Sequence, residues 1–508
     1  MASKKTAAPA AAAKKKLNIP VDDACSLKGA AVHEDYDCIL NQTNIGANNN
    51  KFYVIQLLTK GGKFYAWTRW GRVGETGQSA LVGPSSFEGA FKAFAGKFKD
   101  KTSNKWEERA AFKPASGRYT LIEVDRSADT KKAEELEAKL KGIDSQAAKL
   151  QGATEKKFKP TSLHPRVQKF MHLIFDHDMF KGAMASFDID VKKMPLGQLS
   201  SSQVKRGYEV LEALGRAIKA KKKPVIMVET SRFYTVIPHA FGRNTPPLID
   251  TTELLDKKME MLNVLSDIEI AIAMQSAAAP VATKKEKLAP HPDDENYKKL
   301  NAELEQVAPG SEEHDFIQKY IDATASSHRK PKVIDIFRLD RKGEAERYKA
   351  HEKLGNRKLL WHGTNVAVVA AICKSGLRIM PHSGGRVGKG IYTASENGKS
   401  INYMGWARGN IGVMFLAEVA LGKEHSITKD DHSLKAAPKG FHSVVARGRR
   451  EPDPKHDLVR KYDGKPVVIP QGKPQHLKQY ASSRFEHSEY LVYQESQVRI
   501  RYAIHVQG

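Results

Sequence analysis

The sequence predicts an α+β protein built from several domains. Three observations support this: the chain has 508 residues, its middle third repeats apolar residues at helical spacing, and the stretches on either side contain short strand-like runs. A single hydrophobic core stops growing well below this length. We therefore expect three folded units and a tail.

The first 35 residues are predicted to form a disordered basic tail. Residues 1–20 are mainly Ala, Pro and Lys, with five lysines and no acidic residue before Asp22. Such a composition cannot bury enough apolar surface to fold. The tail could contact nucleic acid or direct nuclear import, whereas a mitochondrial presequence fits less well because all of its positive residues are lysine.

Residues 36–125 are predicted to form a small mixed α/β module. Aromatic and branched residues at 52–58 and 64–70 indicate two strands, and Gly61 and Gly62 between them are a hairpin signal. Phenylalanines recur at three- and four-residue spacing over 87–98, which predicts one helix packed on the sheet.

The middle of the chain is predicted to be an α-helical bundle over residues 159–276, between linkers at 126–158 and 277–292. Three apolar stripes at helical spacing support it, and the run 233–239 interrupts the helical period. The stripes comprise Val167, Phe170, Met171 and Ile174; Val204, Leu211, Leu214 and Ile218; and Leu254, Met261, Leu265, Ile268 and Ile272.

Residues 293–508 are predicted to form an α+β domain built mainly on antiparallel strands, because short apolar runs alternate with turn residues. Three polar residues, His362, Tyr392 and Glu489, interrupt such runs. Ionisable side chains in apolar strands often mark a site. Taken singly, each has a plainer explanation: a satisfied core histidine, a packed tyrosine, or a glutamate paired with a surface lysine.

Charge and cysteine content limit the classes of partner and cofactor. The formal net charge of +25 favours a polyanionic partner, with generic solubility as the alternative. The three cysteines lack CxxC spacing, so we expect no zinc cluster, no other metal and no disulfide framework, and a reducing compartment fits. No apolar run is long enough to span a bilayer, and we expect no membrane partner.

Two common nucleotide-binding motifs can be excluded. The glycine-rich stretch 383–390 resembles a P-loop, but it has one residue too few and a glycine where Ser or Thr should hold Mg²⁺. It also fails the Rossmann fingerprint, because Thr393 occupies the third glycine position. If the protein uses NAD⁺, it does not use it as a Rossmann-bound hydride carrier.

Linked motifs give the chain a specific resemblance. They are Trp-His-Gly-Thr at 361–364, Gly-Lys-Gly-Ile-Tyr at 388–392, Lys-Ser-Ile-Asn-Tyr at 399–403, Glu-Val-Ala-Leu-Gly at 418–422, Ser-Glu-Tyr at 488–490, and Trp-Gly-Arg-Val-Gly at 70–74. Together they resemble the DNA-dependent poly(ADP-ribose) polymerases: a WGR domain at 36–125, a regulatory helical domain at 159–276 and an ADP-ribosyltransferase catalytic domain at 293–508. The resemblance covers nearly the whole chain beyond the tail.

The resemblance implies that NAD⁺ is the co-substrate and assigns roles to the motif residues. Glu489 would act on the nicotinamide ribose and polarise the acceptor. The other catalytic and NAD⁺-binding positions would be His362 and Arg378 on the adenosine side, Gly363 and Ser400 at the carboxamide, Tyr392 and Tyr403 stacking on the nicotinamide ring, and Thr364 contributing a hydroxyl.

For the WGR domain the resemblance implies recognition of DNA strand breaks, preferably with 5′-phosphorylated ends. Trp70, Gly71 and Arg72 would contact the end and its backbone, although Trp70 alone could be a core filler. The remaining expectations are a nuclear location, acceptor proteins that include the enzyme itself, a possible accessory factor and a role in DNA repair.

The complete His, Tyr and Glu set permits chain elongation, yet the short loop at 381–388 and the missing zinc fingers favour a branch of the family that transfers mainly single ADP-ribose units. The resemblance also implies that the helical domain blocks NAD⁺ access until DNA binds. The alternatives are a chain-elongating polymerase and a DNA-end scaffold with weak catalysis.

Overall fold

The computed structural model describes residues 19–123, 158–176, 179, 201–275, 290–379 and 385–508, and the chain folds into two compact units. The first unit includes residues 19–123 and 234–246, and the second includes 201–233 and 247–508. Both predicted linkers lie mostly outside the described residues, so the domain boundaries at these two linkers remain predictions.

The first unit is a five-stranded antiparallel sheet with one helix on its face. Its elements are β1 (Ala31–Asn44), β2 (Asn49–Lys60), β3 (Lys63–Arg72), β4 (Gln78–Ser85), α1 (Phe87–Thr102) and β5 (Thr120–Ile122). The strands follow the order β4-β3-β2-β1-β5. The glycine pair forms the predicted hairpin between β2 and β3, since Gly61 and Gly62 both have positive φ, which favours glycine.

Helix α1 forms because its aromatic residues share one face. The Ser86 hydroxyl caps its first turn by accepting a hydrogen bond from the Gly89 amide. Phe94 and Phe98 are fully buried and meet Trp106 edge to face. The prediction of one helix packed on this sheet is confirmed.

The predicted tail is too long, because residues 19–35 are folded. Asp22 forms an ion pair with Arg69 of β3 at 2.8 Å. Cys25 is buried in a cluster with Leu58 and Trp67. A few apolar residues after the lysine-rich stretch are enough to anchor this segment. Residues 1–18 lie outside the described part of the chain.

Residues 234–246 also belong to the first unit, although they lie within the predicted bundle. The Asn41 side-chain amide donates to the Tyr234 carbonyl at 2.9 Å, and the Asn50 amide donates to the His239 carbonyl at 2.8 Å. Both asparagines are buried, so these bonds offset the cost of removing their amides from water.

The second unit begins with four helices: α2 (Pro165–Ile174), α3 (Ser201–Lys219), α4 (Lys223–Val236) and α5 (Thr252–Gln275). The apolar stripes predicted α2, α3 and α5 but not α4, whose last three residues belong to the first unit. Two details differ from the prediction. Helix α4 continues to Val236 through the run thought to break the helical period, and Leu254, in the first turn of α5, is 36% exposed. Side chains 267–275 lie outside the described residues.

The rest of the second unit is an α+β domain on a large, mainly antiparallel sheet, as predicted. The strands of this sheet are β6 (Ala302–Gln306), β7 (Lys332–Arg341), β8 (Arg357–Gly363), β9 (Ile391–Ala394), β10 (Ile411–Ala420), β11 (Glu424–Ile427), β12 (Ser443–Ala446), β14 (Leu458–Tyr462), β15 (Lys465–Ile469), β18 (Glu489–Val492) and β19 (Val498–Gln507). The main path is β11-β12-β18-β9-β8-β10-β19-β7-β6, and β15 joins it at β8.

A second, three-stranded sheet lies just before the Glu489 strand in the chain. It consists of β13 (Gly448–Pro452), β16 (Pro474–His476) and β17 (Phe485–His487), in the order β16-β13-β17. The helices of this domain are α6 (Pro292–Leu300), α7 (Glu312–Thr324), α8 (Glu344–Tyr348), α9 (Val369–Ser375) and α10 (Asn397–Ser400).

The predicted helical and catalytic domains form one unit because their elements pack together. Helix α5 contacts α9 and the turn Val366–Val368, and α2 contacts α6. No helix within the described ranges is both long and apolar enough to cross a membrane.

Candidate active site

Three adjacent strands bring the predicted catalytic residues together. In the order β18-β9-β8, Glu489 begins β18, Tyr392 lies in β9, and His362 and Gly363 end β8. Ala394 of β9 pairs with Glu489 on one side and with Trp361 on the other. Residues far apart in sequence therefore lie side by side in the sheet.

Glu489 forms an ion pair with a lysine that sequence reasoning did not assign to the site. The Lys399 Nζ lies 2.8 Å from Glu489 Oε1, and the two side chains are 19% and 7% exposed. Burial alone would lower the pKa of Lys399, but the nearby Glu489 carboxylate outweighs it, and the pKa ends above its ordinary value. The partner is thus a buried lysine of the site and not a surface lysine.

Gly363 and Ser400 approach each other so closely that no side chain fits at position 363. A Cβ there would lie 1.9 Å from the Ser400 carbonyl oxygen, far inside the van der Waals limit. Ser400 ends α10 and is buried. This narrow cradle suits a flat amide, which can bond to backbone N–H and C=O groups and a hydroxyl.

His362 is held in one orientation by the neighbouring strand. Its Nδ1 lies 2.9 Å from the Tyr392 carbonyl oxygen. Burial lowers the pKa of His362, so the ring is neutral near pH 7. Since a carbonyl can only accept, Nδ1 carries the proton and Nε2 is left as an acceptor for a ligand hydroxyl.

The two predicted stacking tyrosines differ in their surroundings. The Tyr392 hydroxyl accepts from the Val387 amide at 3.0 Å and donates to the Gly388 carbonyl at 2.8 Å, which fixes its ring. Tyr403 is 41% exposed, and Lys399 donates to its hydroxyl at 3.1 Å. Tyr392 is therefore preorganised, whereas the Tyr403 ring has an open face.

The two remaining predicted residues lie outside the three site strands, one next to β8 and one farther along the chain. Thr364 is buried immediately after Gly363. Arg378 is half-buried three residues after the end of α9, on a different element from the strands that carry the other residues. The loop on which the predicted product type depends overlaps residues 380–384, which lie outside the described residues.

The helical bundle contributes charged residues to the edge of this site, which sequence reasoning missed. Burial raises the pKa of Asp256 in α5 to about 6; Arg386 opposes that shift and Glu489 adds to it. Burial likewise raises the pKa of Glu260, one turn later, to about 7. In α3, Glu212 forms an ion pair with Lys389 at 2.7 Å, three residues before Tyr392.

The predicted DNA-binding residues lie at the end of β3 in the first unit. Trp70 stacks on Tyr53 with ring centroids 5.6 Å apart and stays half-buried, and Lys101 lies over the Tyr53 ring at 4.9 Å. Gly71 has no room for a side chain, since a Cβ would lie 2.7 Å from the Gly77 α-carbon. The site thus combines aromatic and basic groups.

Arg72 is engaged by the protein itself. Its Nε donates to the Gly242 carbonyl at 2.8 Å, and its other nitrogens donate to the Asn48 carbonyl and side chain at 2.9 and 3.1 Å. A phosphate contact by Arg72 would therefore compete with partners within the protein.

Among the described residues, no group of three or more His, Cys, Asp or Glu side chains is arranged to hold a metal ion. The site groups that would face NAD⁺ are a backbone cradle, hydroxyls, an imidazole and one ion pair. This set fits an amide-bearing nucleotide.

Three family models match the chain. They are the poly(ADP-ribose) polymerase catalytic domain at residues 311–508, the poly(ADP-ribose) polymerase regulatory domain at 161–297 and the WGR domain at 36–113. These matches confirm the resemblance predicted from the motifs.

Curated relatives match over nearly the full length. Protein mono-ADP-ribosyltransferase PARP3 of Mus musculus is 51% identical over 496 residues, covering 96% of this chain and 92% of the relative. The Homo sapiens protein of that name is 50% identical over 497 residues, covering 96% and 91%. Poly(ADP-ribose) polymerase 2 of Homo sapiens is 35% identical over 526 residues, covering 100% and 86%.

Proposed function

Because the chain belongs to the poly(ADP-ribose) polymerase family and is an ADP-ribosyltransferase, we propose that it transfers mainly single ADP-ribose units from NAD⁺ to proteins, itself included, when DNA breaks activate it. The observation that carries the proposal is the buried Glu489–Lys399 pair beside the Gly363–Ser400 cradle. A nuclear location and a role in repair follow from such a substrate.

The chemistry requires positioning and charge stabilisation more than proton donation. The nicotinamide of NAD⁺ is already cationic, so it leaves as a neutral molecule without a general acid. The ribose then carries oxocarbenium character, which a carboxylate next to it stabilises. Glu489 supplies that carboxylate, and Lys399 at 2.8 Å keeps it in place.

Each remaining group orients one part of the substrate. Gly363 and Ser400 would bind the carboxamide, and Tyr392 and Tyr403 would stack on the ring. His362, neutral with a free Nε2, would accept from an adenosine-ribose hydroxyl, with Arg378 further along the adenosine moiety. Holding the substrate in a reactive geometry lowers the barrier by removing orientational entropy in advance.

In this proposal, contacts from the helical bundle restrain the catalytic site. Asp256 is near enough to Glu489 for that carboxylate to add to the rise in the pKa of Asp256, and a diphosphate entering there would meet the charge of Asp256. The Glu212–Lys389 ion pair fastens α3 to the loop that leads into the Tyr392 strand. We propose that these contacts favour a closed state and that DNA binding shifts the population to an open one.

The first unit supplies the DNA contact in this proposal. Trp70 offers a half-buried aromatic face next to Tyr53 and Lys101, which suits stacking on an exposed base pair near a phosphate. Because Arg72 is held by Gly242 and Asn48, its phosphate contact would require it to exchange partners. The contacts are to ends and backbone, so affinity should fall steeply with salt.

The test is label transfer from NAD⁺ with and without nicked DNA, using 5′-phosphorylated and 5′-hydroxyl ends at one salt concentration. The proposal expects stimulation by DNA, greater with 5′-phosphate, and discrete labelled bands on a gel. A labelled smear would indicate chain elongation instead. DNA binding without any transfer would indicate a scaffold, and equal transfer without DNA would exclude break activation.

A further inference from the structure

Arg386 is a cationic residue next to the catalytic site that has no part in the NAD⁺ chemistry proposed above. Its two neighbours in the chain both lie against the Tyr392 hydroxyl. The Val387 amide donates to that hydroxyl at 3.0 Å, and a Cβ added at Gly385 would lie 2.5 Å from the same oxygen. The backbone of Arg386 therefore lies at the hydroxyl end of the Tyr392 ring.

The guanidinium of Arg386 is held by three groups of the same domain. Its Nε donates to the Asp430 carboxylate at 2.5 Å, and its Nη2 donates to the Arg484 carbonyl at 3.0 Å. Its Cζ lies 4.2 Å from the centre of the Phe485 ring. A planar cation that is stacked on an aromatic ring and hydrogen-bonded is oriented before any ligand arrives.

Part of this guanidinium remains available to a ligand. A guanidinium has five N–H groups, and Nη1 of Arg386 donates to no residue within the described ranges. The side chain is 30% exposed, so an anion can reach it. The N–H groups left on Nη1 and Nη2 lie in one plane and match the two oxygens of a carboxylate or a phosphate. The guanidinium is therefore suited to binding an anion.

Arg386 also lies within electrostatic reach of the catalytic carboxylate. Burial alone would lower its pKa, but the carboxylates of Asp430, Glu489 and Asp256 outweigh burial and raise the pKa above its ordinary value. Of the charged groups that act on Asp256 in α5, Arg386 opposes the rise in the pKa of that aspartate most strongly. The guanidinium is therefore close to both Glu489 and α5, and α5 contributes one carboxylate to its surroundings.

The order of the strands puts Arg386 and His362 on different sides of Tyr392. In the order β18-β9-β8, His362 lies on β8, and the proposed function directs the adenosine of NAD⁺ to that side. Phe485, which stacks on the guanidinium, packs instead with Leu491 of β18. The diphosphate joins the nicotinamide ribose to the adenosine, so it leads toward β8. The space beside Arg386 is left for the acceptor, which must also reach the catalytic glutamate of β18.

We propose that Arg386 binds an anionic group beside the modified residue of the acceptor protein, and that acidic segments are therefore the preferred acceptors. This preference rests on the transferase function proposed above. In the closed state, Asp256 supplies negative charge near Arg386. When α5 moves away, the anionic group of the acceptor takes its place. The movement that admits NAD⁺ therefore also opens the acceptor site.

The experiment uses the full chain with labelled NAD⁺, nicked DNA and two peptides that share one central glutamate as the acceptor. The residues on both sides of that glutamate are cysteic acid in one peptide and asparagine in the other. A sulfonate keeps the negative charge but is a poor nucleophile, so the label reports the central residue alone. For a partly exposed ion pair, we expect the parent to prefer the sulfonate peptide about fivefold in kcat/KM.

Two substitutions of Arg386 and one control test the origin of this preference. Arg386→Gln removes the charge and should lose the preference. Arg386→Lys keeps the charge but cannot offer two N–H groups in one plane, so it should retain only part of the preference. Arg484→Gln is the matched control, because that arginine is 66% exposed and lies 3.9 Å from the same Asp430 carboxylate. The control should keep the parental preference, and added salt should weaken it in both.

The ratio between two peptides on one enzyme preparation does not depend on how much of the protein is folded. An unchanged ratio in Arg386→Gln, or an equal loss in Arg484→Gln, would overturn the proposal. If Arg386→Gln proved inactive, an unchanged ratio in Arg386→Lys would do the same. A higher KM for NAD⁺ in Arg386→Gln with the peptide ratio unchanged would assign the guanidinium to the NAD⁺ diphosphate and also overturn it. A parent enzyme that labels neither peptide would contradict the transferase function instead.

Discussion

The catalytic site and the end of β3 differ in where their predicted residues find partners. The partners of the catalytic residues lie within the catalytic motifs. Tyr392 of β9 holds His362, Gly388 just before β9 holds Tyr392, and Lys399 of α10 holds Glu489. Arg72 is held by Gly242, 170 residues away in sequence. The catalytic motifs therefore include the partners of their own residues, whereas the Trp-Gly-Arg motif omits the partners of Arg72, which are Asn48 and Gly242.

The largest expected effect tests the catalytic side of this contrast. Glu489→Gln keeps the shape of the side chain but removes the charge that stabilises the ribose cation and pairs with Lys399. We expect the transfer rate to fall about 10²–10³-fold, as when a key electrostatic group is removed. The measurement is the initial rate of label transfer from NAD⁺.

Its matched control is Glu486→Gln, three residues earlier, where the glutamate pairs with Arg449 at the surface. That variant should transfer at nearly the parent rate, and both variants should bind nicked DNA equally. A Glu489→Gln enzyme with parental activity would remove Glu489 from the mechanism.

The next effect tests the cradle. Gly363→Ala would place a methyl group 1.9 Å from the Ser400 oxygen, so the strand end must move. Overpacking of this kind costs about 1–3 kcal/mol. We expect a lower thermal midpoint and a higher KM for NAD⁺, measured by calorimetry and initial rates.

Gly355→Ala, in the same domain, is the comparison for that change, because its added Cβ meets nothing within 4 Å. It should leave both quantities unchanged. If Gly363→Ala left KM unchanged as well, the close approach would not form part of the NAD⁺ site.

A smaller effect tests the DNA side. Trp70→Ala removes an aromatic face whose stacking on a base is worth about 1–3 kcal/mol, so affinity for a DNA end should fall about tenfold. Transfer measured without DNA should not change. Fluorescence anisotropy at fixed salt gives the affinity, and Val82→Ala, exposed on the adjacent strand β4, is the control. Unchanged affinity would make Trp70 a core filler.

The smallest effect concerns the acidic residues of α5. Their pKa values are raised to about 6 for Asp256 and about 7 for Glu260, so the folded state binds protons that the unfolded state has released. Stability contributed by these groups is present at low pH and is lost as pH rises between about 4 and 7. The packed form of α5 should loosen over that window.

The double variant Asp256→Asn, Glu260→Gln removes this pH dependence of stability. Each pKa unit corresponds to about 1.4 kcal/mol at most, and local opening reduces the effect, so we expect a gain of about 1 kcal/mol at pH 8. The gain should disappear near pH 4. Thermal midpoints at both pH values check it, and a gain independent of pH would contradict the titration.

Much of the fold was predictable because local patterns agree with the final packing. The phenylalanine spacing predicted α1, and alternating runs predicted the strands that carry His362, Tyr392 and Glu489. Two predictions were wrong: that Leu254 is part of a buried stripe, and that the run 233–239 interrupts the helical period from its first residue. Periodicity does not show which end of a helix is covered, or how far a helix continues through β-branched residues.

The site was predictable only as far as its motifs extend. Lys399 lay within a quoted motif, yet its pairing with Glu489 depends on sheet register, which periodicity does not supply. Asp256 was missed because a single acidic residue gives no signal until a fold places it beside other charges.

The segment 234–246 has a practical consequence for anyone cutting this chain into fragments. A piece ending at residue 125 would strip Asn41 and Asn50 of the carbonyls they bind, at a cost of about 1–3 kcal/mol for each amide left buried. Arg72 would lose its Gly242 partner in the same cut. A DNA affinity measured on that fragment would describe an arginine held by Asn48 alone, so this sheet is best studied with residues 234–246 still attached.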